Sequence, residues 1–258
     1  MSSKKDNILL DIFGRIWAAW GLISFASSFL LIIIPARFAD LYSNYVSGQR
    51  YFLGVARIWM RVWLTLVGCP VKIRGKENFQ PGEAYVVTFN HNALLDVPLS
   101  APFVPGANKT IAKSSFAKVP LFGWFYSRGS VLVNRKEEKS RLKSYEQMRK
   151  VLQQGMHMCI YPEGTRNRTD QPLKSFYDGA FKLAVDSGRP VMPCIITGTK
   201  RAMPIHKRFF LLPTPLTMNF LKPIPSEGLT ATALKEKVYE VMLEAYHSLT
   251  DTGKAFGK

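Results

Sequence analysis

Cysteine is scarce in this chain, and acidic side chains are in short supply. Three cysteines occur in 258 residues. They are Cys69, Cys159 and Cys194, far apart, odd in number and set in apolar surroundings. That pattern excludes a disulfide framework, and the separations are too wide for a zinc site. They read as small core residues in a reducing compartment. Asp and Glu number 18 against 35 Lys and Arg, a formal charge of +17. Such an excess favours an anionic partner: nucleic acid, anionic lipid or a polyphosphate. Zinc-finger spacing and other nucleic-acid signatures are missing, and the aromatics sit inside apolar runs, so no nucleic-acid partner is expected. Internal repeats and low-complexity segments are also lacking. The length suits one sizeable core, or one domain with a small appendage.

Charge is missing altogether from Ile16 to Ala36. About twenty apolar residues are enough to cross the hydrocarbon core of a bilayer as a helix. Trp17 and Trp20 stand at one end, where an interfacial ring is comfortable. The stretch is too long for a signal-peptide core and lacks a small-x-small cleavage site, so it is expected to be retained. Lys4, Lys5 and Arg15 precede it, and Arg37, Arg50, Arg57 and Arg61 follow it, so the positive-inside rule picks no side. A second apolar stretch, Tyr51 to Val67, carries Arg57 and Arg61 four apart, on one face of a helix. It suits a helix at the membrane surface with its arginines reaching phosphates. Residues 1–69 are therefore expected to form membrane-associated helices, and 70–258 a separate domain.

From Val71 onward, short apolar runs rich in β-branched residues alternate with amphipathic stretches. Strands are expected at Val71–Arg74, Ala84–Asn90, Lys109–Ala112, Ser130–Asn134, Met156–Tyr161, Met192–Thr197 and Leu216–Leu221. Helices are expected at Ser115–Tyr126, Lys136–Gln154, Phe176–Ser187 and Ala231–Leu249; in the second of these, Leu142, Tyr145, Met148 and Leu152 recur every three or four residues. This alternation predicts an α/β class fold: a layered mixed sheet flanked by helices, with an N-terminal membrane-docking helix pair. The segment 200–215 reads as a loop, and its Phe209-Phe210-Leu211-Leu212 run is equally suited to lipid contact and to packing on the core.

Two polar motifs carry the chemistry. Asn90-His91 stands at the C-terminal end of a strand, the edge at which open α/β sheets bind ligands. Asp96 lies five residues on. In a regular helix that separation turns a side chain by about 140°, so the two meet only if His91 is in the turn and Asp96 in the first helical turn. Asp96 would then fix the imidazole tautomer and leave the other nitrogen as a base. The second motif, Pro162-Glu163-Gly164-Thr165-Arg166, also follows a strand. Gly164 permits a tight turn, Arg166 can hold a phosphate with its fork, and Thr165 can donate a hydroxyl.

Together these residues resemble the glycerolipid acyltransferases, and specifically the 1-acylglycerol-3-phosphate acyltransferases. The resemblance covers about residues 50 to 225. Its blocks occur in the family's order: His91 with Asp96; Gly129-Ser130-Val131-Leu132-Val133-Asn134-Arg135; Glu163-Gly164-Thr165-Arg166; and the strand around Pro193. Lys113 and Pro120-Leu121-Phe122-Gly123 are further family features. Tyr161 stands where many members have phenylalanine.

The resemblance implies transfer of a fatty acyl group from a thioester to the sn-2 hydroxyl of lysophosphatidic acid, giving phosphatidic acid. His91 is implied as the base, oriented by Asp96. Glu163, Gly164, Thr165 and Arg166 are implied at the acceptor phosphate, and Gly129, Arg135 and Lys113 at the substrates. No cofactor or metal is implied, and the acyl donor is acyl-CoA or acyl carrier protein. The expected setting is a membrane, at the cytoplasmic face of a bacterial inner membrane. Other lysolipids or glycerol 3-phosphate as acceptor, a hydrolase, and a non-catalytic membrane lipid-binding protein are the alternatives to this activity.

Overall fold

The computed structural model describes residues 2–134 and 136–255. It opens with two helices, α1 (Ser2–Arg37) and α2 (Tyr45–Leu66). β1 (Val71–Arg74) and β2 (Val86–Phe89) follow, and then α3 (Asp96–Ser100). β3 (Asn108–Lys113) leads through a 3₁₀ turn to α4 (Phe122–Arg128) and β4 (Ser130–Val133). α5 (Glu138–Gln153), β5 (His157–Ile160) and α6 (Gly179–Asp186) come next. The chain ends with β6 (Val191–Thr197), α7 (Thr199–Ala202), β7 (Leu216–Phe220) and α8 (Ala231–Ala255).

The strands form one seven-stranded sheet in the order β1-β7-β6-β2-β5-β3-β4. All neighbours are parallel except β6 and β7. Alternate residues of a strand face opposite sides, and the core divides accordingly. Val87 and Phe89 of β2 pack with Trp59, Met60, Trp63 and Leu64 of α2. Val86 packs with Leu152 of α5, Phe181 of α6 and Val238 of α8. The protein is thus three-layered: α1 and α2 cover one face, and α5, α6 and α8 cover the other. Cys69, Cys159 and Cys194 are free and buried, as their apolar neighbours predict.

The expected helix over Ser115–Tyr126 is broken. Ser114–Lys118 forms a 3₁₀ turn, and α4 starts only at Phe122. Pro120 cannot donate to a helical ladder, which explains the interruption.

The first helix is longer than the uncharged stretch. From Ile8 it is long and apolar enough to cross a membrane, and most of that span is not covered by the rest of the protein. Trp17 and Trp20 have a structural use: their indole N–H groups donate to Val67 O at 2.9 Å and to Leu66 O at 3.2 Å. These carbonyls end α2 and lack helical partners. In return, the Trp63 and Trp59 indoles donate to Gly21 O and Ser28 Oγ.

α2 corrects one expectation. Arg57 does not reach outward for phosphate. Its guanidinium turns in, Nε donating to Pro102 O at 2.6 Å and Nη2 to Val104 O at 3.0 Å, whereas Arg61 is exposed. Two carbonyls of the turn after α3 would otherwise lack donors, and the guanidinium serves both. The 200–215 loop divides in the same way. Phe210 and Leu211 are buried, and Leu211 N donates to Gly14 O at 3.0 Å, whereas Phe209 stays exposed.

Candidate active site

β2, β3, β4 and β5 run in one direction, so their C-terminal ends share one edge of the sheet. There β2 delivers Asn90-His91, β5 delivers Tyr161 to Arg166, and β3 ends at Lys113. Asn90 is fully buried and extends the β2–β6 pairing with its side chain: Nδ2 donates to Ile196 O at 2.9 Å, and Oδ1 accepts from Ile196 N at 2.7 Å. The next residue is thereby turned out at the strand end.

His91 meets Asp96 as the spacing requires. Asp96 opens α3, and its Oδ2 lies 2.9 Å from His91 Nδ1. The same oxygen accepts the main-chain N–H groups of Asn92 at 2.6 Å and Ala93 at 2.7 Å. Three donors on one oxygen fix a fully buried carboxylate beside the ring. An ionised carboxylate only accepts, so Nδ1 carries the hydrogen. Nε2 then presents its lone pair, and it has no protein partner among the described residues.

The main chain of His91 is held from both sides by the second motif. Glu163 Oε1 accepts His91 N–H at 2.8 Å, and Asn167 N–H donates to His91 O at 2.6 Å. Glu163 Oε2 accepts Lys174 N–H at 3.2 Å. This carboxylate is fully buried, and burial raises its pKa to about 7. With both oxygens turned to backbone donors, it braces the main chain at His91 and Lys174.

The remainder of that motif faces outward. Gly164 has φ of 70°, a conformation that costs glycine little, and the turn closes with Gly164 N–H donating to Tyr161 O at 3.0 Å. Thr165 is exposed, and its hydroxyl accepts from Lys174 Nζ at 3.0 Å. Arg166 follows, partly exposed and without an ion pair among the described residues. Lys174, absent from the residues expected from sequence, brings a second cation to this rim. Lys113, exposed at the end of β3, adds a third, two strands from β2.

One expected position falls elsewhere. Thr110 pairs with Ser130 and with Cys159, and Cys159 pairs with Val87, so Gly129 is level with Val86. His91 stands five residues further along, about 16 Å at the rise of a strand. Gly129 ends α4 and packs beside Phe52. Arg135 lies outside the described residues.

Tyr161 was legible only as a small departure from a pattern. Its ring tilts over the His91 imidazole, with centroids 4.3 Å apart. Its hydroxyl lies 2.8 Å from both Asp96 O and Ser100 Oγ, tying β5 to α3 beneath the imidazole. Burial among these groups raises the phenol pKa well above its usual value, so the group stays a neutral donor.

Comparison with known proteins fits this geometry. The acyltransferase family profile matches residues 70–197. A 1-acyl-sn-glycerol-3-phosphate acyltransferase of Chlamydomonas reinhardtii is 30% identical over 234 residues, covering 87% of this chain and 67% of that protein. The human 1-acyl-sn-glycerol-3-phosphate acyltransferase alpha is 29% identical over 199 residues, covering 74% and 69%. The chain spans about two thirds of the length of these relatives. The crystal structure of the 1-acyl-sn-glycerophosphate (LPA) acyltransferase PlsC of Thermotoga maritima superimposes with a TM-score of 0.74 at 25% identity, covering 96% of this chain and 97% of that one.

Proposed function

Because the chain belongs to the acyltransferase family, alongside the 1-acyl-sn-glycerol-3-phosphate acyltransferases, we propose that the His91–Asp96 pair is the base of an acyl transfer to lysophosphatidic acid. The protein is an enzyme of phospholipid biosynthesis. It acylates 1-acylglycerol 3-phosphate, and the product is phosphatidic acid.

The chemistry needs a base because an alcohol is a weak nucleophile. His91 Nε2 takes the sn-2 hydroxyl proton as the oxygen attacks the thioester carbonyl carbon. Positioned bases of this kind contribute about 10²–10⁴-fold. Asp96 holds the tautomer and stabilises the imidazolium. When the tetrahedral intermediate collapses, the carbon–sulfur bond breaks and the thiolate takes the proton back from Nε2. The step is direct, with no acyl-enzyme. Arg166 holds the acceptor phosphate through a charge-assisted fork, with Thr165 and the Gly164 turn beside it. Lys174 and Lys113 add positive charge to the same edge. The donor is acyl-CoA or an acyl carrier protein. The site faces the cytoplasmic side of a bacterial inner membrane, with α1 in the lipid; three free, buried cysteines fit that compartment.

The observation that carries this reading is the 2.9 Å contact of His91 Nδ1 with Asp96, which leaves Nε2 without a protein partner at the mouth of the sheet. The test is phosphatidic acid formation by His91→Ala protein purified in detergent. Turnover should fall at least 100-fold with the circular dichroism unchanged; retention of more than a few per cent of turnover removes His91 as the base. Arg166→Ala should raise the KM for lysophosphatidic acid tenfold or more, the size of one lost charge-assisted pair. An unchanged KM removes Arg166 from the phosphate site.

A further inference from the structure

Between β3 and α4 the backbone adopts a conformation that leucine rarely takes. Leu121 has φ of 61° and ψ of −54°, and Phe122 N–H donates to Pro120 O at 2.6 Å across it. This is the strained γ-turn with positive φ. Its effect is to hold the leucine side chain outward, 60% exposed. Phe116 and Val119 are exposed beside it in sequence. The knob is firmly built. Val119 N–H donates to Phe116 O, Gly123 N–H donates to Val119 O at 2.7 Å, and a Cβ at Gly123 would lie 2.1 Å from Ala117 O. Exposed apolar side chains on a strained, well-bonded turn call for a partner.

Two features say what the partner is. The first is continuity with α1. Phe29 of α1 meets the Phe122 ring at 5.7 Å, Phe122 meets Tyr126 at 5.6 Å, and Tyr126 meets Phe116 at 5.5 Å. Leu30 and Leu31, next to Phe29, are exposed. The apolar outer surface of the long helix thus adjoins the knob. Tyr126 also accepts the main-chain N–H of Lys113 at 3.2 Å, which ties the knob to the active edge of the sheet. The second feature is charge. From Val97 to Lys136 the sequence has no Asp or Glu and six Lys or Arg, with Lys118 inside the knob itself. Apolar tips with Lys113 and Lys118 beside them in sequence match the boundary between acyl chains and anionic headgroups.

We propose that the turn at Phe116, Val119 and Leu121 is a second membrane contact, inserted into an anionic bilayer beside the active site, where lipid substrates pass between membrane and enzyme. This goes beyond the assignment of the base and the phosphate site, and it is read independently of them.

The experiment uses the full-length chain in vesicles of phosphatidylglycerol and phosphatidylcholine. Leu121→Cys is labelled with an environment-sensitive fluorophore; the native cysteines are buried, so the label goes to position 121. Lys143→Cys on α5, in the opposite layer, is the control. Spin-labelled lipid should quench the probe at 121 severalfold more than that at 143. A probe at 121 quenched by aqueous iodide and not by lipid overturns the proposal. Leu121→Gly gives a second readout, because glycine accepts positive φ and the fold should keep its Tm. Its rate on vesicle-embedded lysophosphatidic acid should fall three- to tenfold, with the rate on a short-chain, water-soluble acceptor unchanged. A fall on both substrates alike, or on neither, overturns the proposal, while the chemistry assigned to His91 would stand in either case.

Discussion

Glu163 accepts the main-chain N–H of His91 at 2.8 Å, so the second polar motif supports the first from behind. The two motifs lie 72 positions apart in sequence. They meet because β2 and β5 are parallel neighbours ending at the same edge. His91 is therefore held by its ring through Asp96 and by its backbone through Glu163 and Asn167.

Glu163→Gln tests the brace through pH. Burial raises the folded carboxyl from 4.5 to about 7, against the opposing pull of two N–H donors and Lys174. Below pH 4.5 the folded and unfolded chains both hold the proton. Between 4.5 and 7 only the folded chain does, so stability from this group falls as pH rises through that window. The full span is worth at most about 3 kcal/mol. Glutamine does not titrate. The stability of the wild type relative to Glu163→Gln should decline from pH 4.5 to 7, as read from paired denaturant curves; a flat difference would refute the raised pKa.

Asp96→Asn separates charge from shape. The amide oxygen can still accept from the backbone, but the imidazolium formed in the reaction loses its counter-charge. We expect kcat to fall about 100-fold or more, with KM for both substrates within about threefold. Steady-state kinetics at saturating acceptor decide this, and a loss confined to KM would mean that Asp96 acts on binding instead.

The strand positions were legible because each is a short, largely apolar run between turn residues, in β2, β4 and β6 rich in Val, Ile or Thr. The meeting of His91 and Asp96 was legible because only a turn followed by a helix start brings a five-residue separation together. What sequence could not reveal depends on distant partners. The inward turn of Arg57 answers carbonyls at Pro102 and Val104, 45 and 47 positions away. Gly129 looks functional beside Arg135 in the sequence, yet the register sets it at the far end of β4. Glu163 reads as a polar rim residue until the backbone donors at His91 and Lys174 are known. The Lys174 side chain is brought to Thr165 by a loop with no periodic signal.

His157, at the start of β5 and the opposite end of the sheet from the site, should set the acid limit of stability. Burial pushes it from 6.5 down to about 4, and its Nδ1 accepts Tyr85 N–H at 3.1 Å as a neutral ring. Above pH 6.5 neither state is protonated, and the contribution is fully present. Between 6.5 and 4 the unfolded chain takes up a proton that the folded chain refuses, so stability falls with pH by up to about 3 kcal/mol. His157→Gln should flatten this acid limb in urea titrations at pH 7, 6 and 5. An equal fall in both proteins would show that His157 does not titrate in that range.

Tyr161 distinguishes a ring from a hydroxyl. Tyr161→Phe keeps the ring over His91 but removes the hydroxyl between Asp96 O and Ser100 Oγ. The expected cost is about 1 kcal/mol of stability, the worth of a typical buried hydrogen bond, with kcat within about threefold. Tyr161→Leu removes the flat surface against which the imidazole rests. The ring can then leave the Asp96 line, and kcat should drop about tenfold beyond the phenylalanine variant at similar KM, a loss of roughly 1.4 kcal/mol in the transition state. If leucine matches phenylalanine in kcat, the stacking contact does not position the base, and Asp96 with the Glu163–Asn167 clamp suffices to hold it.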